Sequence, residues 1–561
     1  MFARACLWVD FELMPRSPDP DNAVAAAARH PSPRRLPLTD AAGSAERARR
    51  VQLSRRAFLT LSAAAAGGLL LSACALQPAP PQLPGIIRVA MDALHPVFDV
   101  HGWNTPDGPR TFSPMFDALT FIDSAGQLRP ALALAWSRLQ PTVWQFRLRA
   151  SDAKFQNGEF FNPESAQLSI QRAVDPTNNL ALTPLVSTID HVDIVDDATI
   201  NVVTGTPDAI LPWRASLIYM LPARAFVQAG AAKFFQQPIG TGQWQFQDFS
   251  PDTGMTCSFF TDTWRAARGE PIPPIKQLRI TVQPQPADRA AALKSGSVDI
   301  AVDLAPGDAA SLAASGFPTI AGTPGVVLAY AFNTSPGSLF ANLAARQAAN
   351  LALDREQLLK RTFGDQAILA TQLTASGATG YNASLNLPAA ADSAAAKRLL
   401  SALHTAGNAP TPVWATPGLE PVAQALALNL QAAGLPASTR SVSLADYLAS
   451  LSGTHLPGLF PLRADYALLM DAEAAYFRWS SAATPAMRLG SDANLASLLQ
   501  DSRGAEGTTR ARLLGQAAAR WQAQSLGLPL LRPRIQAATA PGIKGLSSLA
   551  SGAWWFDRVL K

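Results

Sequence analysis

Cysteine is scarce in this chain of 561 residues, which contains only Cys6, Cys74 and Cys257. Cys6 and Cys74 fall in a predicted leader and at its predicted cleavage site, so Cys257 stands alone and no internal disulfide bond is expected. Cys257 lies in the apolar run Met-Thr-Cys-Ser-Phe-Phe, which is typical of a strand. Such a position favours a buried, inert thiol over a catalytic nucleophile.

The sequence also lacks the motifs of common enzyme classes. It contains no HExxH, GxSxG or CxxC motif, and Gly240-Thr241-Gly242 lacks the third glycine and the lysine of a phosphate-binding loop. His95 and His101 are too loosely spaced to indicate a metal site without further ligands. We therefore expect no catalytic residue, no cofactor and no metal, although an exported enzyme is the alternative from another functional class.

An excess of positive charge is missing from most of the chain. Residues 1–74 hold ten arginines and six acidic residues, so they carry most of the net charge of +5 and leave about +1 for the rest. A nucleic-acid-binding protein keeps a basic stripe in its folded part, and none is found here. We expect no nucleic-acid partner.

The apolar stretch near the start of the chain is a poor candidate for a membrane span. Residues 57–73 are rich in alanine and glycine, whereas a span needs about 20 strongly apolar residues. The dipeptide Arg55-Arg56 precedes this run and resembles a twin-arginine export signal. Leu71-Ser72-Ala73-Cys74 ends it and resembles a lipobox, in which the cysteine is lipidated and becomes the new N-terminus.

These patterns predict a leader over residues 1–73, a proline-rich tether over 74–85 and a lipid anchor at Cys74. The expected location is the periplasm or the cell surface, attached to a membrane. The remaining chain of roughly 490 residues is too long for one core, so two or three domains are expected.

Hydrophobic periodicity predicts a mixed α/β protein. Alternating strands are predicted in the first half at 144–149, 191–203, 244–247 and 278–282. Helices are predicted in the second half after Asp354, after Asp392 or Ser393, over 420–433 and over 508–525. Strands and helices without a repeating unit indicate an α/β body in several lobes.

Five segments, in order along the chain, resemble the extracytoplasmic solute-binding proteins of the peptide/nickel class of ABC importers (family 5). They are Phe-Asp-Ala-Leu-Thr at 116–120 with Gly-Gln-Leu-Arg-Pro-Ala-Leu-Ala at 126–133; Trp-Gln-Phe-Arg-Leu-Arg at 144–149 with the run 154–165; Pro-Ile-Gly-Thr-Gly-Gln-Trp at 238–244; 293–300; and 332–334 with 346–355. The motifs are chiefly structural, so they inform fold and broad role more than specificity.

The resemblance implies a two-lobed α/β fold of the periplasmic-binding-protein type, with a hinge and a cleft. The implied first lobe takes residues 86–117, 232–330 and 512–561, and a subdomain, 118–231, is inserted into it. Residues 331–511 are the implied second lobe. The implied role is that of a monomeric, non-catalytic subunit that captures a peptide or other small polar solute and passes it to ABC permease subunits with a cytoplasmic ATPase. A lipoprotein that keeps this fold without a ligand is a further alternative.

The family resemblance also implies ligand contacts in the second lobe. In Arg463-Ala464-Asp465-Tyr466, Asp465 and Tyr466 match the run that anchors a ligand's amino group in peptide-binding relatives, with Tyr466 as a stacking face. Arg463 stands in a stretch where the family carries an aromatic residue, and the Asp-Pro pair that follows in the family is missing. The alternative is that Asp465 forms a surface ion pair with Arg463 or another local arginine. Arg532, near Arg534, either meets an anionic ligand or lies on the solvent face of a strand.

Overall fold

The structure is a computed structural model that describes residues 85–104, 107–267, 274–322, 325–403, 410–443, 446–447, 450, 458–480, 492–556 and 558–560. The predicted export signal, with Arg55, Arg56 and Cys74, lies outside the described residues. No helix within these ranges is both long and apolar enough to cross a membrane.

The strands, numbered along the chain, are β1 (Ile86–Met91), β2 (Thr120–Ile122), β3 (Leu128–Pro130), β4 (Ala133–Gln140), β5 (Val143–Leu148), β6 (Ile189–Asp196), β7 (Thr199–Thr204), β8 (Trp244–Ser250), β9 (Gly254–Phe259), β10 (Gln277–Val282), β11 (Ile300–Ala301), β12 (Thr319–Gly322), β13 (Val327–Phe332), β14 (Ala367–Leu369), β15 (Thr411–Ala415), β16 (Ala437–Ser441), β17 (Leu459–Ala464), β18 (Gly527–Pro533), β19 (Ile535–Thr539), β20 (Ser547–Ser548) and β21 (Trp554–Trp555).

The α-helices are α1 (Asp107–Phe112), α2 (Pro163–Val174), α3 (Thr183–Val186), α4 (Leu211–Arg214), α5 (Ala223–Ala229), α6 (Ala231–Phe234), α7 (Trp264–Ala267), α8 (Pro286–Lys294), α9 (Pro306–Ala314), α10 (Leu343–Ala352), α11 (Arg355–Thr362), α12 (Ser393–Ser401), α13 (Glu420–Ala432), α14 (Ala472–Ser480), α15 (Ala493–Gly504) and α16 (Gly507–Ala523).

The first lobe is built on a mixed seven-stranded sheet in the order β12-β19-β11-β1-β10-β9-β8. Its central strand β1 runs parallel to β10 and β11, and the outer pairings are antiparallel. Val89, Ile280 and Ile300 are almost fully buried in the core around this sheet. Cys257 on β9 is buried as predicted, and burial raises the pKa of its thiol.

A separate antiparallel sheet in the order β4-β5-β7-β6 lies between β1 and β8 along the chain. Its burial pattern alternates along β5 and β7, because one face packs on α2 while the other faces solvent. The predicted pair of strands joined at Asp196-Asp197 is confirmed as β6 and β7. This sheet lies within the range predicted for the inserted subdomain.

The second lobe is built on a six-stranded sheet in the order β14-β18-β13-β17-β15-β16. All six residues of β13 are buried, and so are all six of β17, because helices cover both faces of the sheet centre. The predicted helix starts at Asp354 and Asp392 are confirmed, since each carboxylate accepts a hydrogen bond from a backbone N–H three residues on.

The predicted boundaries of the second lobe, at 331 and 511, need correction at both ends. β13 begins at Val327, and β18, over Gly527–Pro533, pairs with β13 and β14. Helix α16 also packs against the second sheet through Leu514 and Trp521. Residues 327–330 and 512–533 therefore belong with the second sheet, since long-range strand pairing and core packing, rather than local pattern, decide this.

The described strands pass between the seven-stranded sheet and the six-stranded sheet twice, from β12 to β13 and from β18 to β19. Only Arg534 separates β18 from β19, and its N–H donates to the carbonyl of Gln366 at 2.8 Å. Two short connections of this kind are what a hinge between lobes requires.

The segment Gly240-Thr241-Gly242 is a turn into β8, as predicted, and it passes very close to Pro114 and Met115. Gly242 N–H donates to Met115 O at 2.9 Å, and Trp244 N–H donates to Pro114 O at 3.1 Å. A Cβ atom at Gly240 would lie 1.9 Å from Met115 O. Glycine is therefore required here by the approach of two backbones.

We predict that Gly240→Ala lowers the free energy of unfolding by about 1–3 kcal/mol or more, since the backbone at Met115 must move. Gly307→Ala is the matched control, because a Cβ there meets no atom within 4 Å. The control should be neutral or slightly stabilising, as alanine is the better helix former. Urea unfolding of both variants measures the difference, and equal midpoints would contradict the prediction.

Candidate functional site

A cavity of about 90 Å³ lies among residues of the first lobe, residues in the range predicted for the inserted subdomain (118–231) and one residue of the second lobe. Its lining is mostly apolar or aromatic, with a few polar side chains. It comprises Trp103, Pro109, Ser113, Phe116, Asp117, Ala118, Thr120, Phe121, Ile122, Ala131, Ser216, Leu217, Tyr219, Arg265, Leu468, Leu549, Ser551 and Trp555. This volume exceeds what a single water needs, which is about 10–15 Å³.

Aromatic rings form the wall of the cavity. The ring centroid of Tyr219 lies 6.1 Å from that of Trp103 and 6.3 Å from that of Phe116. Phe121 meets Trp555 edge to face at 5.5 Å. Such tilted and edge-on pairs are the favoured geometries of aromatic rings, so the wall is stabilised without a ligand.

One corner of the cavity is charged, and its two charges are paired. Arg265 donates from Nη2 to Asp117 Oδ1 at 2.6 Å and from Nη1 to Oδ2 at 3.4 Å. Asp117 Oδ2 also accepts from Thr241 Oγ1 at 3.0 Å and from Trp264 Nε1 at 2.9 Å. The Gly-Thr-Gly turn thus supplies a hydrogen bond that orients the carboxylate.

The second lobe reaches this site through residues 465–473, here termed the interlobe segment. Leu468 lines the cavity, and both Leu468 and Leu469 are buried in the apolar core of the first lobe. Met470 follows with a φ of 50°, and a Cβ at Gly126 would lie 2.6 Å from its Cε. The interlobe segment therefore inserts its leucines into the first lobe.

A buried ion-pair network fixes the end of the interlobe segment. Glu473 accepts from Arg214 of the inserted subdomain at 3.2 Å, from Arg510 at 2.8 Å and from Arg503 at 2.9 Å. Arg214 and Arg510 are each also paired with an aspartate. Those aspartates are Asp208, at 2.7 Å from Arg214, and Asp471, at 2.8 Å from Arg510.

Two carboxylates of the interlobe segment, Asp471 and Glu473, respond differently to this environment. Burial by itself raises the pKa of Glu473, but the attraction of Arg214 and Arg510 outweighs it and lowers the pKa to about 2. Burial dominates at Asp471 and raises its pKa, although Arg510 opposes the shift. Glu473 is therefore the carboxylate whose ionised form the network favours.

We predict that Glu473→Gln lowers the free energy of unfolding at pH 7 by about 3–5 kcal/mol, the usual cost of breaking a buried pair. Because the pKa of Glu473 is below its ordinary 4.5, its contribution is full above about pH 4.5 and is lost as the pH falls towards about 2. The cost of the variant should shrink over that range, which denaturant unfolding at pH 7 and at pH 3 measures.

The control for this prediction is Glu506→Gln, which removes an exposed ion pair between Glu506 and Arg138. Exposed pairs contribute about 0–1 kcal/mol. Equal costs for the two variants, or a cost at Glu473 that does not change with pH, would contradict the role given to the network.

The structure brings Arg463 and Asp465 together but does not place either on the cavity wall. Arg463 Nη2 donates to Asp465 Oδ1 at 2.7 Å, and the residues are 2% and 6% exposed. The alternative of a surface ion pair is therefore wrong in one respect, since the pair exists but is buried. Tyr466 packs in the second lobe's core, and Arg532 lies half-buried on β18 opposite Ile368. Ligand contacts by these four residues stay a prediction.

The two histidines considered for a metal have other partners. His101 Nε2 lies 2.8 Å from Tyr219 O, and burial with nearby Arg172 lowers its pKa to about 4. His95 Nδ1 lies 2.7 Å from Val97 O. Within the described ranges, no three or more His, Cys, Asp or Glu side chains form a group that could hold a metal ion.

Sequence reasoning missed Asp117 and Arg265 as site residues. Asp117 stands in the Phe-Asp-Ala-Leu-Thr motif, and its partner Thr241 stands in the Gly-Thr-Gly turn, yet both motifs were interpreted as structural. Arg265 belongs to no motif, and only the fold brings it to Asp117. The signal available in the sequence was the position of Asp117, an acidic residue, inside a family motif.

Comparison with protein families gives a match over more than half of the chain. Residues 127–467 match the family described as "Bacterial extracellular solute-binding proteins, family 5 Middle". The matched range includes the inserted sheet, the Gly-Thr-Gly turn and the start of the interlobe segment.

Individual relatives are distant in sequence. The glutathione-binding protein GsiB of Salmonella choleraesuis is 25% identical over 225 residues, which are 39% of this chain and 42% of the relative. The nickel-binding periplasmic protein of Escherichia coli is 26% identical over 282 residues, which are 48% and 51% of the two chains. The chain thus spans about half the length of the curated relatives it matches.

A solved structure matches over a larger range. AgaA of A. tumefaciens R10, in complex with agropinic acid, has a TM-score of 0.72 at 18% identity and covers 84% of this chain and 99% of its own. At this identity the likeness establishes the two-lobed α/β fold and says nothing of the cargo.

Proposed function

We propose, because this chain belongs to the bacterial extracellular solute-binding proteins of family 5, that it captures a solute between its two lobes and delivers it to an ABC permease. The observation that carries this proposal is the cavity itself. Its wall comes from the first lobe and the inserted subdomain, and Leu468 of the second lobe closes it. A site completed by both lobes is the arrangement that couples ligand binding to closure.

The connections between the lobes support the same mechanism. With Arg534 alone between β18 and β19, the second connection is short, and the first runs from β12 to β13 within a few residues. Rotation about such connections opens the cleft without disturbing either sheet. When the lobes separate, the interlobe segment leaves the first lobe's core and exposes Leu468 and Leu469, so burial of these two leucines contributes to the free energy of closure.

The partners proposed for this chain are a solute and membrane permease subunits driven by a cytoplasmic ATPase. Known relatives include proteins named for glutathione and for nickel, and a neighbour bound to agropinic acid, so the family's cargo is chemically diverse. We propose that this chain acts as a monomer and catalyses nothing. Release to the permease, not chemical change, completes its task.

We predict that a cognate solute stabilises the protein and makes it more compact. A solute at 100 times its Kd adds about 2.7 kcal/mol to the free energy of unfolding. Thermal unfolding across a library of peptides, amino acids, metal chelates and small neutral compounds identifies it, and small-angle scattering then compares the free and loaded forms. A confirmed tight ligand that leaves the radius of gyration unchanged would rule out closure.

The proposed location of this protein is outside the cytoplasm, anchored to a membrane by a lipid. The export and lipidation signal is the one predicted at Arg55, Arg56 and Cys74. We predict that replacing both arginines by lysine blocks export and that Cys74→Ser gives an exported but unlipidated chain. Mass spectrometry of the mature N-terminus should find a lipid-modified Cys74. Protein that is found in membrane-free cytosol and still begins at Met1 would contradict this location.

A further inference from the structure

The cavity is small for the site of a peptide. Its volume of about 90 Å³ is below the roughly 150 Å³ of an apolar cavity that takes benzene, and far below the roughly 300–1,000 Å³ of sites for drug-sized ligands. Leu468 occupies the side on which the second lobe closes. Even a solute of about one ring therefore requires the cavity to widen, whereas an extended peptide requires the whole interlobe segment to leave the first lobe.

The described residues that line the cavity offer no uncompensated charge to a solute. Asp117 and Arg265 are the ionisable acid and base of the lining, and they pair with each other at 2.6 Å. Asp117 Oδ2 accepts two further hydrogen bonds, from Thr241 and Trp264. A solute with a net charge would be buried beside a corner that is already neutral, and an unpaired buried charge is strongly unfavourable.

The rest of the lining suits an apolar body with one or two neutral polar groups. Trp103, Phe116, Phe121 and Trp555 present aromatic surface, and the hydroxyls of Ser113 and Ser551 can hydrogen-bond to an alcohol, amide or carbonyl. The second lobe contributes an aliphatic side chain, Leu468. Aromatic and aliphatic surfaces with a few placed polar groups are typical of small-molecule sites.

We propose that the solute of this chain is a compact molecule of zero net charge with an apolar, single-ring-sized body, and not a peptide with charged termini. The proposal rests on the proposed function as a solute-binding protein. In this proposal Asp117 and Arg265 determine the charge specificity of the cavity, because the charge of each side chain neutralises the charge of the other.

The test compares isosteric probes that differ in charge, namely 2-phenylethanol, 2-phenylethylamine and phenylacetate, together with the dipeptide Ala-Phe. Calorimetry or tryptophan fluorescence on the full chain should give a Kd for 2-phenylethanol at least ten-fold below those of the charged probes and the dipeptide. Arg265→Gln leaves Asp117 without its cation, so the preference should shift by ten-fold or more towards the amine. Asp117→Asn should shift it towards phenylacetate.

Two further variants keep the test decisive. Asp262→Asn removes an exposed carboxylate that pairs with Lys154 outside the cavity, and it should leave the order of affinities unchanged. Leu468→Ala enlarges the cavity and should admit 2-naphthylethanol, which the unchanged chain excludes. If Arg265→Gln or Asp117→Asn does not fold, Leu468→Ala still tests where the probe binds.

The outcomes separate this proposal from the function on which it rests. Tighter binding of a charged probe or of the dipeptide to the unchanged chain overturns the solute class and leaves solute binding intact. A shift of preference on Asp465→Asn, with none on Asp117→Asn or Arg265→Gln, moves the site to Asp465 and overturns the assignment to the cavity. If none of these probes binds and no solute of the library in the thermal-unfolding test stabilises the protein, the proposed function itself fails.

Discussion

Charge buried between two separate parts of a fold must be neutralised where it lies, and Glu473 is subject to this constraint. The residue is 3% exposed and lies between Arg214, in the range predicted for the inserted subdomain, and Arg510 of the second lobe. Arg214 and Arg510 each have an aspartate as a second partner, but Glu473 pairs with both arginines and so, in the closed form, holds the segments that carry them in one relative position. That position sets the interlobe segment, which in turn places Leu468 over the aromatic wall. The shape of the cavity thus depends on an ion-pair network that does not touch it.

Much of the fold could be predicted from local pattern. The hairpin of β6 and β7, the strand at β10, and the helices that begin after Asp354 and Asp392 follow from alternation and capping residues, which act over a few positions. The lobe boundaries could not be predicted in the same way. β18 carries the same kind of apolar run as a first-lobe strand, and only its pairing with β13, some 200 residues earlier in the chain, assigns it to the second lobe.

The candidate site was harder to predict, for a physical reason. A ligand contact is defined by groups that converge in space, and neither Asp117 nor Arg265 has its partner nearby in sequence: 148 positions separate them. Asp465 is conspicuous in the sequence because it stands in an Ala-Asp-Tyr run that resembles the family's. Two positions earlier, however, this chain has Arg463, which donates a hydrogen bond to the Asp465 carboxylate. The run around Asp465 therefore indicated which lobe closes the site. The charge balance inside the cavity, in contrast, depends on the long-range contact between Asp117 and Arg265.

The strand order of the first sheet also bears on how the chain is synthesised. β19 lies between β11 and β12, although it follows them by more than 200 residues, so the first sheet stays incomplete until nearly the whole chain has left the ribosome. Pairings of such high contact order form slowly, and an unfinished sheet exposes open strand edges. If the chain crossed a membrane unfolded, that slow step would take place outside the cell, away from its folding machinery. An export route that carries folded proteins, which Arg55 and Arg56 predict, would let this sheet close before the chain crosses the membrane.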